Sequence, residues 1–371
     1  MKKILFVFGT RPEAIKLAPL IHACRKHPNQ LTPLICLTGQ HQEMLMQVMQ
    51  FFELESDYDL NLMKPDQTLF DLTSKGLLAM KSVLQDCKPD TVIVQGDTTT
   101  ALAGALAAFY SRIPIAHVEA GLRSQDNYSP FPEEVNRRII SILTHLHFAP
   151  TQRAVENLKK ENIQASIYMT GNTVVDALLW AVEKIRKNPS LASGFDYLDA
   201  KSPVVLITGH RRESFGKPFE NICEAILDLA NRYPDFQFVY PVHLNPNVQR
   251  TVNKMLGGRT NIHLIKPLDY PHLVWLMDRS YFVLTDSGGI QEEAPTLGKP
   301  VLVMRDVTER EEGIAAGTAL LVGTHRDRIV QSAVQLIEDK AIYQRMSKAT
   351  NPYGAGDSAR KITDIILNEP V

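Results

Sequence analysis

The feature that most constrains this chain is a repeated unit of short apolar run, small polar turn and amphipathic helix. The first half contains "ILFVFGTRPEAIKLAPLI" and "DTVIVQGDTTTALAGALAAFY", and the second half contains "SPVVLITGHRRESFGKPFENICEAI" and "SYFVLTDSGGIQEEA". The runs are rich in Val, Ile and Leu and alternate little, which is typical of strands buried on both faces. Alternation with helices requires parallel strands joined by right-handed crossovers. We therefore predict an α/β protein with a doubly wound, Rossmann-like sheet in each half.

The chain length suits two domains. The chain has 371 residues, and one hydrophobic core rarely serves more than about 250–300 residues. The stretch "MTGNTVVDALLWAVEKI" is followed by "RKNPSLASGFDYLDAKSP", which has the composition of a surface linker. We predict a first domain over residues 1–170 and a second over residues 171–354.

Composition excludes several functional classes. The formal charge is −1, whereas nucleic-acid binders usually carry a basic excess. No window approaches the ~18 apolar residues of a membrane span, and the apolar run after "MKK" is shorter than the ~7–15 residues of an export signal. The four cysteines lack Cys-x-x-Cys spacing, which argues against zinc and disulfides. The expectation is a cytoplasmic protein that binds neither membrane nor nucleic acid.

Polar residues follow the predicted strands in both halves. Open parallel sheets bind ligands beyond the carboxyl ends of their strands. The residues predicted there are Arg11, Gln40, His41, Asp97 and Glu119 in the first half, and His210, His243, Ser287 and Arg310 in the second. Two such edges that face each other would form one binding cleft between the domains.

The segment "TDSGGIQEEA" has the pattern of a phosphate site. Asp286 or Ser287 can cap the following helix, and Gly288 allows a ligand to approach the backbone, where free amides and the helix dipole favour an anion. Glu293 lies about 9 Å further along the helix axis, where it can accept hydrogen bonds from ribose hydroxyls. This favours a nucleotide. The alternative is a capped helix with solvated glutamates, and the segment alone does not decide between them.

The first-half turns allow structural and functional explanations. In "FGTRPEAIK", Pro12 suits the first helical position, and Arg11 and Lys16 can reach an anion or can be surface charges. Neither a dinucleotide fingerprint nor a P-loop pattern is present. Asp97 precedes a helix, and local grounds favour an N-cap. Glu119 ends a strand without serving as a cap, so it needs another reason.

Three further segments carry charge or metal-like spacing. In "SPFPEEVNRRII", the helix dipole and an i,i+4 pair with Arg137 explain Glu133 fully unless it lies near Glu119. "TGHRRESFG" concentrates more charge, including His210, than a helix start needs, which favours function, and His243 can join it. The Asp-x-Asp spacing in "DYD", residues 57–59, is a weak metal signal that no other cluster supports. We expect no metal.

The chain contains the blocks "FGTRPEAIK", "GDTTT", "HVEAGLR", "PEEVNR", "GHRRESFG", "PVHLNPN" and "TDSGGIQEEA". Together they resemble the bacterial non-hydrolysing UDP-N-acetylglucosamine 2-epimerases. The resemblance runs in order to "NPYGAGDSARKI" and covers essentially the whole chain. It implies two Rossmann-like domains facing across a cleft, in the GT-B-type arrangement of many glycosyltransferases, with a final helix at 355–371 returning to the first domain. It also implies a homodimer that interconverts UDP-N-acetylglucosamine (UDP-GlcNAc) and UDP-N-acetylmannosamine (UDP-ManNAc) for surface polysaccharide synthesis.

The implied reaction needs no cofactor. The C2 hydrogen of the sugar is not adjacent to a carbonyl, so direct deprotonation is unfavourable, and the fingerprint for oxidation by NAD is absent. The remaining route is loss of UDP from C1 with removal of the C2 proton. This gives a 2-acetamidoglucal-type intermediate, to which UDP then adds again. That route needs acid/base groups on two faces and positive charge for the leaving diphosphate. The resemblance implies a catalytic set of Asp97, Glu119, Glu133 and His210, without assigning protons to individual carboxylates.

The resemblance also implies binding residues. The diphosphate would be held by Arg11, Lys16, Ser287, Gly288, Gly289 and Arg310, the ribose by Glu293, and the carboxylates would be supported by Arg137. An activating UDP-GlcNAc would contact Gln40, His41, Arg211 and His243. The sequence departs from the family pattern at Leu268 and Leu273, where some members place a glutamine and an aromatic residue near the uracil. Recognition of the base would then rest on backbone contacts.

Three other functions remain open at this point. A hydrolysing 2-epimerase would release N-acetylmannosamine and UDP. A glycosyltransferase of the same architecture would need an acceptor, for which we find no acceptor-binding helix or basic membrane-facing patch. A nucleotide-sugar-binding regulator would not need to gather the four residues of the catalytic set.

Overall fold

The computed structural model describes residues 1–39, 42–62, 67–211 and 214–369. The chain divides into two compact units. Unit 1 comprises Met1–Ala177 and Tyr353–Val371, and unit 2 comprises Leu178–Pro352. The chain thus changes unit twice, once within a helix and once after Pro352.

The elements of the first part of the chain alternate strand and helix. In order, they are β1 (Lys2–Phe8), α1 (Arg11–Arg25), β2 (Leu31–Leu37), α2 (Gln42–Phe51), β3 (Tyr58–Asp59), α3 (Leu69–Cys87), β4 (Thr91–Gln95), α4 (Thr99–Tyr110), β5 (Ile115–Val118), α5 (Glu133–Leu143), β6 (Leu146–Ala149), α6 (Gln152–Lys160), β7 (Ser166–Met169) and α7 (Thr173–Lys187).

The alternation continues to the end of the chain. The elements are a short 3₁₀ turn (Pro189–Ala192), β8 (Val204–Thr208), α8 (Lys217–Arg232), β9 (Gln237–Pro241), α9 (Pro246–Leu256), β10 (Ile262–Ile265), α10 (Tyr270–Arg279), β11 (Ser280–Thr285), α11 (Gly288–Glu293), a 3₁₀ turn (Ala294–Leu297), β12 (Val301–Val303), α12 (Glu311–Ala316), β13 (Ala319–Leu321), α13 (Arg326–Glu338), α14 (Lys340–Ser347) and α15 (Ser358–Asn368).

Each unit contains one parallel sheet. In the described residues, the sheet of unit 1 has seven strands in the order β3-β2-β1-β4-β5-β6-β7, and that of unit 2 has six in the order β10-β9-β8-β11-β12-β13. The strand order reverses between β1 and β4 in unit 1 and between β8 and β11 in unit 2, which are the switch points where such sheets bind ligands. The prediction of two doubly wound, Rossmann-like parallel sheets is confirmed.

Both sheets are covered on both faces, as the continuous apolar runs predict. Residues 4–8 of β1 are fully buried, and buried parallel strands favour such unbroken aliphatic sequences. Helix α4 lies especially close to the sheet because its inner residues are small. A Cβ atom at Gly104 would lie 3.1 Å from Val7 Cγ1. The same Cβ atom would lie 3.5 Å from Val94 Cγ1, so α4 packs closely on β1 and β4 near their carboxyl ends.

The last helix belongs to unit 1. Helix α15 packs on α1, and the buried Asp176 carboxylate of α7 accepts hydrogen bonds from the backbone N–H groups of Ser358 (3.3 Å) and Ala359 (2.9 Å) at its first turn. Burial raises the pKa of Asp176, while these N–H donors oppose the rise. Lys2 Nζ donates to the carbonyl of Ile366 (3.0 Å) near the other end. The helix is therefore fixed at both ends.

Two further observations concern the described part of the chain. No helix within the described ranges has the length and apolar character needed to cross a membrane. The four cysteines are buried as free thiols.

Candidate functional site

Glu119 directly follows β5 in a backbone conformation that few side chains adopt. Its φ is 65°, in the left-handed region that costs a non-glycine residue free energy and is concentrated at functional sites. The carboxylate meets Lys16 of α1, with Nζ 2.7 Å from Oε1 and 2.6 Å from Oε2. The exposed fractions of the two side chains are 14% for Lys16 and 5% for Glu119. The strand end thus carries a nearly buried ion pair.

Two amides complete the surroundings of the Glu119 carboxylate. Gln95 Nε2, at the end of β4, donates to Oε2, and Asn172 Nδ2 donates to Oε1 at 3.3 Å. These donors and the Lys16 ammonium favour the charged carboxylate, because hydrogen bonds to ionised groups are the stronger ones. Neither Gln95 nor Asn172 could be recognised from the sequence, since an isolated amide side chain has no characteristic pattern.

Asp97 is held by Arg137 of α5. Its Oδ2 accepts from Arg137 Nη2 at 2.5 Å and from Nε at 3.0 Å. The same guanidinium donates through Nη1 to Oε2 of the fully buried Glu134 at 3.0 Å. The prediction that Asp97 caps α4 is wrong: Thr98 is the N-cap and its Oγ1 accepts from the backbone N–H of Ala101. Because the neighbouring threonine satisfies the helix, the Asp97 carboxylate is available to Arg137.

Glu133 begins α5 close in sequence to this network but does not pair with Arg137. The expected i,i+4 ion pair is wrong, because Arg137 contacts Asp97 and Glu134 instead. Glu133 Oε2 is buried and has no hydrogen-bond partner among the described residues. A desolvated carboxylate oxygen without a donor is costly and calls for an explanation.

Two residues of α1 complete the edge of unit 1. The helix begins at Arg11, so Pro12 occupies its second position. Arg11 is half-buried and has no ion-pair partner within the described part of the chain, which makes its guanidinium available to an anion. Glu13 is buried and was overlooked, although Thr-x-x-Glu is the pattern of a capping box.

In unit 2, Asp286 organises the turn that follows β8. Its Oδ2 accepts from the backbone N–H groups of His210 (2.7 Å) and Arg211 (2.8 Å), and Arg211 Nε donates to the Asp286 carbonyl at 3.0 Å. The carboxylate therefore joins the ends of β8 and β11 and does not cap α11. His210 Nδ1 lies 3.6 Å from Asp286 Oδ1.

The predicted catalytic and activator residues of unit 2 form one cluster. The rings of His210 and His243 stack with centroids 4.9 Å apart and planes inclined by 10°. Burial and the neighbouring His210 lower the pKa of His243, and Asp286 opposes this. Arg211 shares Asp286 with His210. The other two predicted activator residues, Gln40 and His41, lie outside the described residues.

The packing of Arg310 explains why the first turn of α11 contains glycine. A Cβ atom at Gly288 would lie 3.2 Å from Arg310 Cζ, so the guanidinium packs flat against the backbone. Arg310 Nε donates to Glu292 Oε1 at 2.9 Å. Ser287 occupies the N-cap position without a side-chain hydrogen bond to the helix, which leaves its hydroxyl for other contacts, and Gly289 follows in the same turn.

The two glutamates of α11 are not solvated, so that alternative is wrong. Glu292 is 2% exposed and Glu293 is 7% exposed. Glu292 forms the ion pair with Arg310, and Glu293 Oε1 lies 3.4 Å from the hydroxyl of Tyr270, which donates to it. Buried charges that are paired or hydrogen-bonded have a structural or binding function, and Arg310 supplies the local counter-charge.

The other residues noted in the sequence contact the hydrophobic core or the backbone. Leu268 and Leu273 pack against the core of unit 2. In the Asp-x-Asp segment, Asp57 accepts from the backbone N–H of Ile35 (2.7 Å) and Asp59 from that of Asn61 (3.0 Å). Within the ranges the structure describes, no group of three or more His, Cys, Asp or Glu side chains is placed to hold a metal ion.

Comparisons with known proteins agree with one another. The family model described as UDP-N-acetylglucosamine 2-epimerase matches residues 22–367. The UDP-N-acetylglucosamine 2-epimerase of Escherichia coli is 52% identical over 374 residues, covering 100% of this chain and 99% of the relative.

Solved structures are similar over the same length. The Neisseria meningitidis UDP-GlcNAc 2-epimerase, crystallised with UDP-GlcNAc, has a TM-score of 0.92 and 50% identity, covering 99% of this chain and 100% of the other. The Methanocaldococcus jannaschii UDP-GlcNAc 2-epimerase, in complex with UDP-GlcNAc and UDP, has a TM-score of 0.82 and 34% identity, covering 99% and 100%.

Proposed function

Since the chain belongs to the UDP-N-acetylglucosamine 2-epimerase family, we propose that it interconverts UDP-GlcNAc and UDP-ManNAc without releasing the sugar. The observation that carries this proposal is the presence of three carboxylates at the edge of the unit 1 sheet. Asp97 follows β4, Glu119 follows β5 and Glu133 begins α5. The three carboxylates differ in their hydrogen-bond partners. Such differences allow chemically identical groups to act as acid and as base.

The reaction proceeds by elimination and re-addition. UDP leaves from C1 while a base removes the C2 proton, which gives a 2-acetamidoglucal-type intermediate. A proton then returns to C2 from the opposite face, and the UDP oxygen re-forms the bond to C1. Inversion at C2 therefore needs proton-transfer groups on two faces of the sugar, and the three carboxylates of unit 1 supply them.

The groups that we assign to the leaving diphosphate are Arg11, His210 and Arg310. The Ser287–Gly289 turn offers the diphosphate its backbone N–H groups, and Glu293 offers a carboxylate to the ribose. The ion pair with Glu119 supports a role for Lys16 beside the carboxylate at least as much as at the diphosphate. Arg137, bound to Asp97 and Glu134, orients the carboxylates.

A second molecule of UDP-GlcNAc is the proposed activator. Arg211 and His243 adjoin His210 and Asp286, so an anion bound there would act directly on the residue that assists the leaving diphosphate. The proposal also includes Gln40 and His41, a cytoplasmic location and a role in surface polysaccharide synthesis.

Self-association is supported by exposed apolar side chains on three adjoining helices of unit 1. Helix α3 packs on α4 and α4 on α5, and Leu78, Tyr110 and Ile142 of these helices are 70%, 67% and 74% exposed. Large apolar side chains that are exposed on adjoining helices are a common feature of protein–protein contact surfaces. We therefore propose a homodimer, which light scattering of the purified protein tests.

Product analysis distinguishes the proposed reaction from its alternatives. Purified protein incubated with UDP-GlcNAc, without NAD and with a chelator, is expected to give a mixture of UDP-GlcNAc and UDP-ManNAc with the total UDP-sugar unchanged. A hydrolysing epimerase would instead produce equal amounts of UDP and free N-acetylmannosamine, and a glycosyltransferase would leave the donor unchanged without an acceptor.

Variants link this activity to the carboxylates. Asp97→Asn, Glu119→Gln and Glu133→Gln are each expected to lower kcat by about 10²–10⁴-fold, the range for a general acid or base. Glu156→Gln, on the exposed face of α6, is the matched control and keeps kcat within about twofold. Full activity in any of the three carboxylate variants would remove that residue from the mechanism.

A further inference from the structure

Glu13 is a buried carboxylate with more partners than its helix requires. It is 1% exposed in the first turn of α1. Its Oε2 accepts from the backbone N–H groups of Gly9 (3.1 Å) and Thr10 (2.8 Å) and from Thr10 Oγ1 (2.7 Å). These contacts form the capping box of α1 and fix the turn after β1.

The other carboxylate oxygen of Glu13 reaches a second turn. Oε1 accepts from Thr98 Oγ1 at 2.7 Å, although the two residues are 85 positions apart. Thr98 is the N-cap of α4 and follows Asp97 directly. One side chain therefore joins the turn that precedes Arg11 to the turn that carries Asp97.

A capping box does not by itself explain this burial. Helix α3 begins with an equivalent box, in which Asp71 Oδ2 accepts from the backbone N–H (3.1 Å) and the Oγ1 (2.6 Å) of Thr68; Thr68 is exposed and Asp71 is only half-buried. Burying a carboxylate is costly, and burial raises the pKa of Glu13. Since α3 is capped without this cost, the distinguishing feature of Glu13 is its contact with Thr98.

Two other elements hold the carbonyl groups of residues 96 and 97 of the same turn, whereas Glu13 holds the side chain of residue 98. His117 of β5 is fully buried, and its Nε2–H donates to the carbonyl of Gly96 at 2.7 Å. Burial lowers the pKa of His117 to about 3, so it is a neutral donor at physiological pH. Asn136 Nδ2 donates to the carbonyl of Asp97 at 2.9 Å. The backbone on both sides of the Asp97 side chain is thus clamped.

We propose that Glu13 is a positioning residue for Asp97. Through Thr98 it fixes the Gly96–Thr98 turn, and so holds the Asp97 carboxylate against Arg137 in the orientation that proton transfer requires. The expected effect on kcat rests on the proposed epimerase function, whereas the expected displacement of the Asp97 side chain does not. A displacement of about 1 Å in a reacting group can cost on the order of 10²-fold in rate.

The kinetic test compares Glu13 and Thr98 variants with variants of the α3 box. Glu13→Ala and Thr98→Val are each expected to lower kcat by about 10²-fold. Here kcat is calculated per UDP-binding site, and calorimetry measures the number of sites. The Kd for UDP should stay within about twofold of the wild-type value. Glu13→Gln keeps kcat within about fivefold, because its amide oxygen can replace Oε2 and its NH₂ can donate to Thr98 Oγ1. Asp71→Ala and Thr68→Val lose a cap but keep kcat within about twofold.

The double variant Glu13→Ala/Thr98→Val is expected to be no slower than either single variant within about threefold, because both remove one contact. Multiplicative losses would show that the residues act separately and would overturn the proposal. So would kcat values for Glu13→Ala and Thr98→Val that match those of the α3 variants, because the losses would then reflect helix stability alone.

A crystal structure of Thr98→Val provides a readout that does not depend on turnover. The contact between Asp97 Oδ2 and Arg137 Nη2, 2.5 Å here, is expected to lengthen beyond about 3.5 Å, the limit of a hydrogen bond. An unchanged contact overturns the inference even if the variant is inactive. A wild-type protein that does not convert UDP-GlcNAc would refute the proposed function, whereas a displaced Asp97 would still support the positioning role.

Discussion

The ion pair between Lys16 and Glu119 yields the sharpest prediction about stability. Replacing Lys16 by Met keeps the length and apolar stem of the side chain but removes the ammonium that lies 2.6 Å from Glu119 Oε2. The carboxylate stays buried and retains its hydrogen bonds from Gln95 and Asn172, but it loses the opposite charge. Lys16→Met is therefore expected to destabilise unit 1.

The expected magnitude follows from the burial of the pair. Removing one partner of a buried ion pair costs about 3–5 kcal/mol, because the remaining charge is uncompensated. For a unit of 150–250 residues, each kcal/mol lowers Tm by about 2–4 °C, so Lys16→Met should lower the Tm of the unit 1 transition by about 6–20 °C. Scanning calorimetry or circular dichroism measures this directly.

An exposed ion pair in the same unit provides the control. Lys75 Nζ lies 3.5 Å from Asp71 Oδ1 on α3, with the side chains 44% and 45% exposed. Exposed pairs contribute about 0–1 kcal/mol, so Lys75→Met should change Tm by no more than about 4 °C. The double variant Lys16→Met/Glu119→Gln removes both buried charges and should recover most of the loss. Equal effects of Lys16→Met and Lys75→Met, or no recovery in the double variant, would refute the argument.

Two further predictions test the packing and the electrostatics of unit 1. Gly121→Ala should prevent unit 1 from folding or lower its Tm far more than Gly194→Ala lowers the Tm of unit 2. Both glycines have positive φ (91° and 96°), but a Cβ atom would lie 2.3 Å from the carbonyl oxygen of Ala154 at Gly121, whereas nothing lies within 4 Å of one at Gly194. Comparable losses of Tm in the two variants would contradict this. Because the pKa of His117 falls from 6.5 to about 3 on folding, the unfolded chain binds a proton between these pH values that the folded chain does not. The free energy of unfolding should therefore decrease as the pH is lowered, by about 1.6 kcal/mol between pH 6.5 and 5. His117→Gln should remove this contribution in urea titrations at the two pH values, and an unchanged pH dependence would be inconsistent with it.

The strand and turn positions could be predicted from the sequence because they depend on neighbours in the chain. Unbroken aliphatic runs such as residues 4–8 specify buried parallel strands, and the polar residues that follow them necessarily lie at the carboxyl edge. For this reason the sequence alone predicts that Asp97 and Glu119 lie at the carboxyl edge of the sheet, where they follow β4 and β5.

The partners of those side chains could not be predicted because they depend on distant residues. Lys16 and Glu119 are separated by 103 positions, and no local pattern favours that pair over a contact with phosphate. Arg137 is within reach of Glu133 on α5, yet it contacts Asp97, which another strand brings to it. Local rules describe a helix in isolation, and the packed structure offers partners that such rules do not consider.

The buried glutamates of α11 show the same limit. Their sequence is equally compatible with a solvated helix, and only the packing of Arg310 across Gly288 shows that Glu292 has a counter-charge. Glu13 was missed for a different reason. Its capping box could be recognised from Thr10 and Glu13 alone, but the contact with Thr98 that distinguishes it comes from the tertiary structure.

The central claim is that carboxylates of unit 1 exchange the C2 proton of a UDP-linked sugar. The most direct test is a reaction of UDP-GlcNAc with the wild-type protein in deuterium oxide, followed by NMR and mass spectrometry of both UDP-sugars. The account predicts one deuterium at C2 of UDP-ManNAc, and of UDP-GlcNAc as equilibrium is approached. UDP-ManNAc that forms with protium retained at C2 would contradict it.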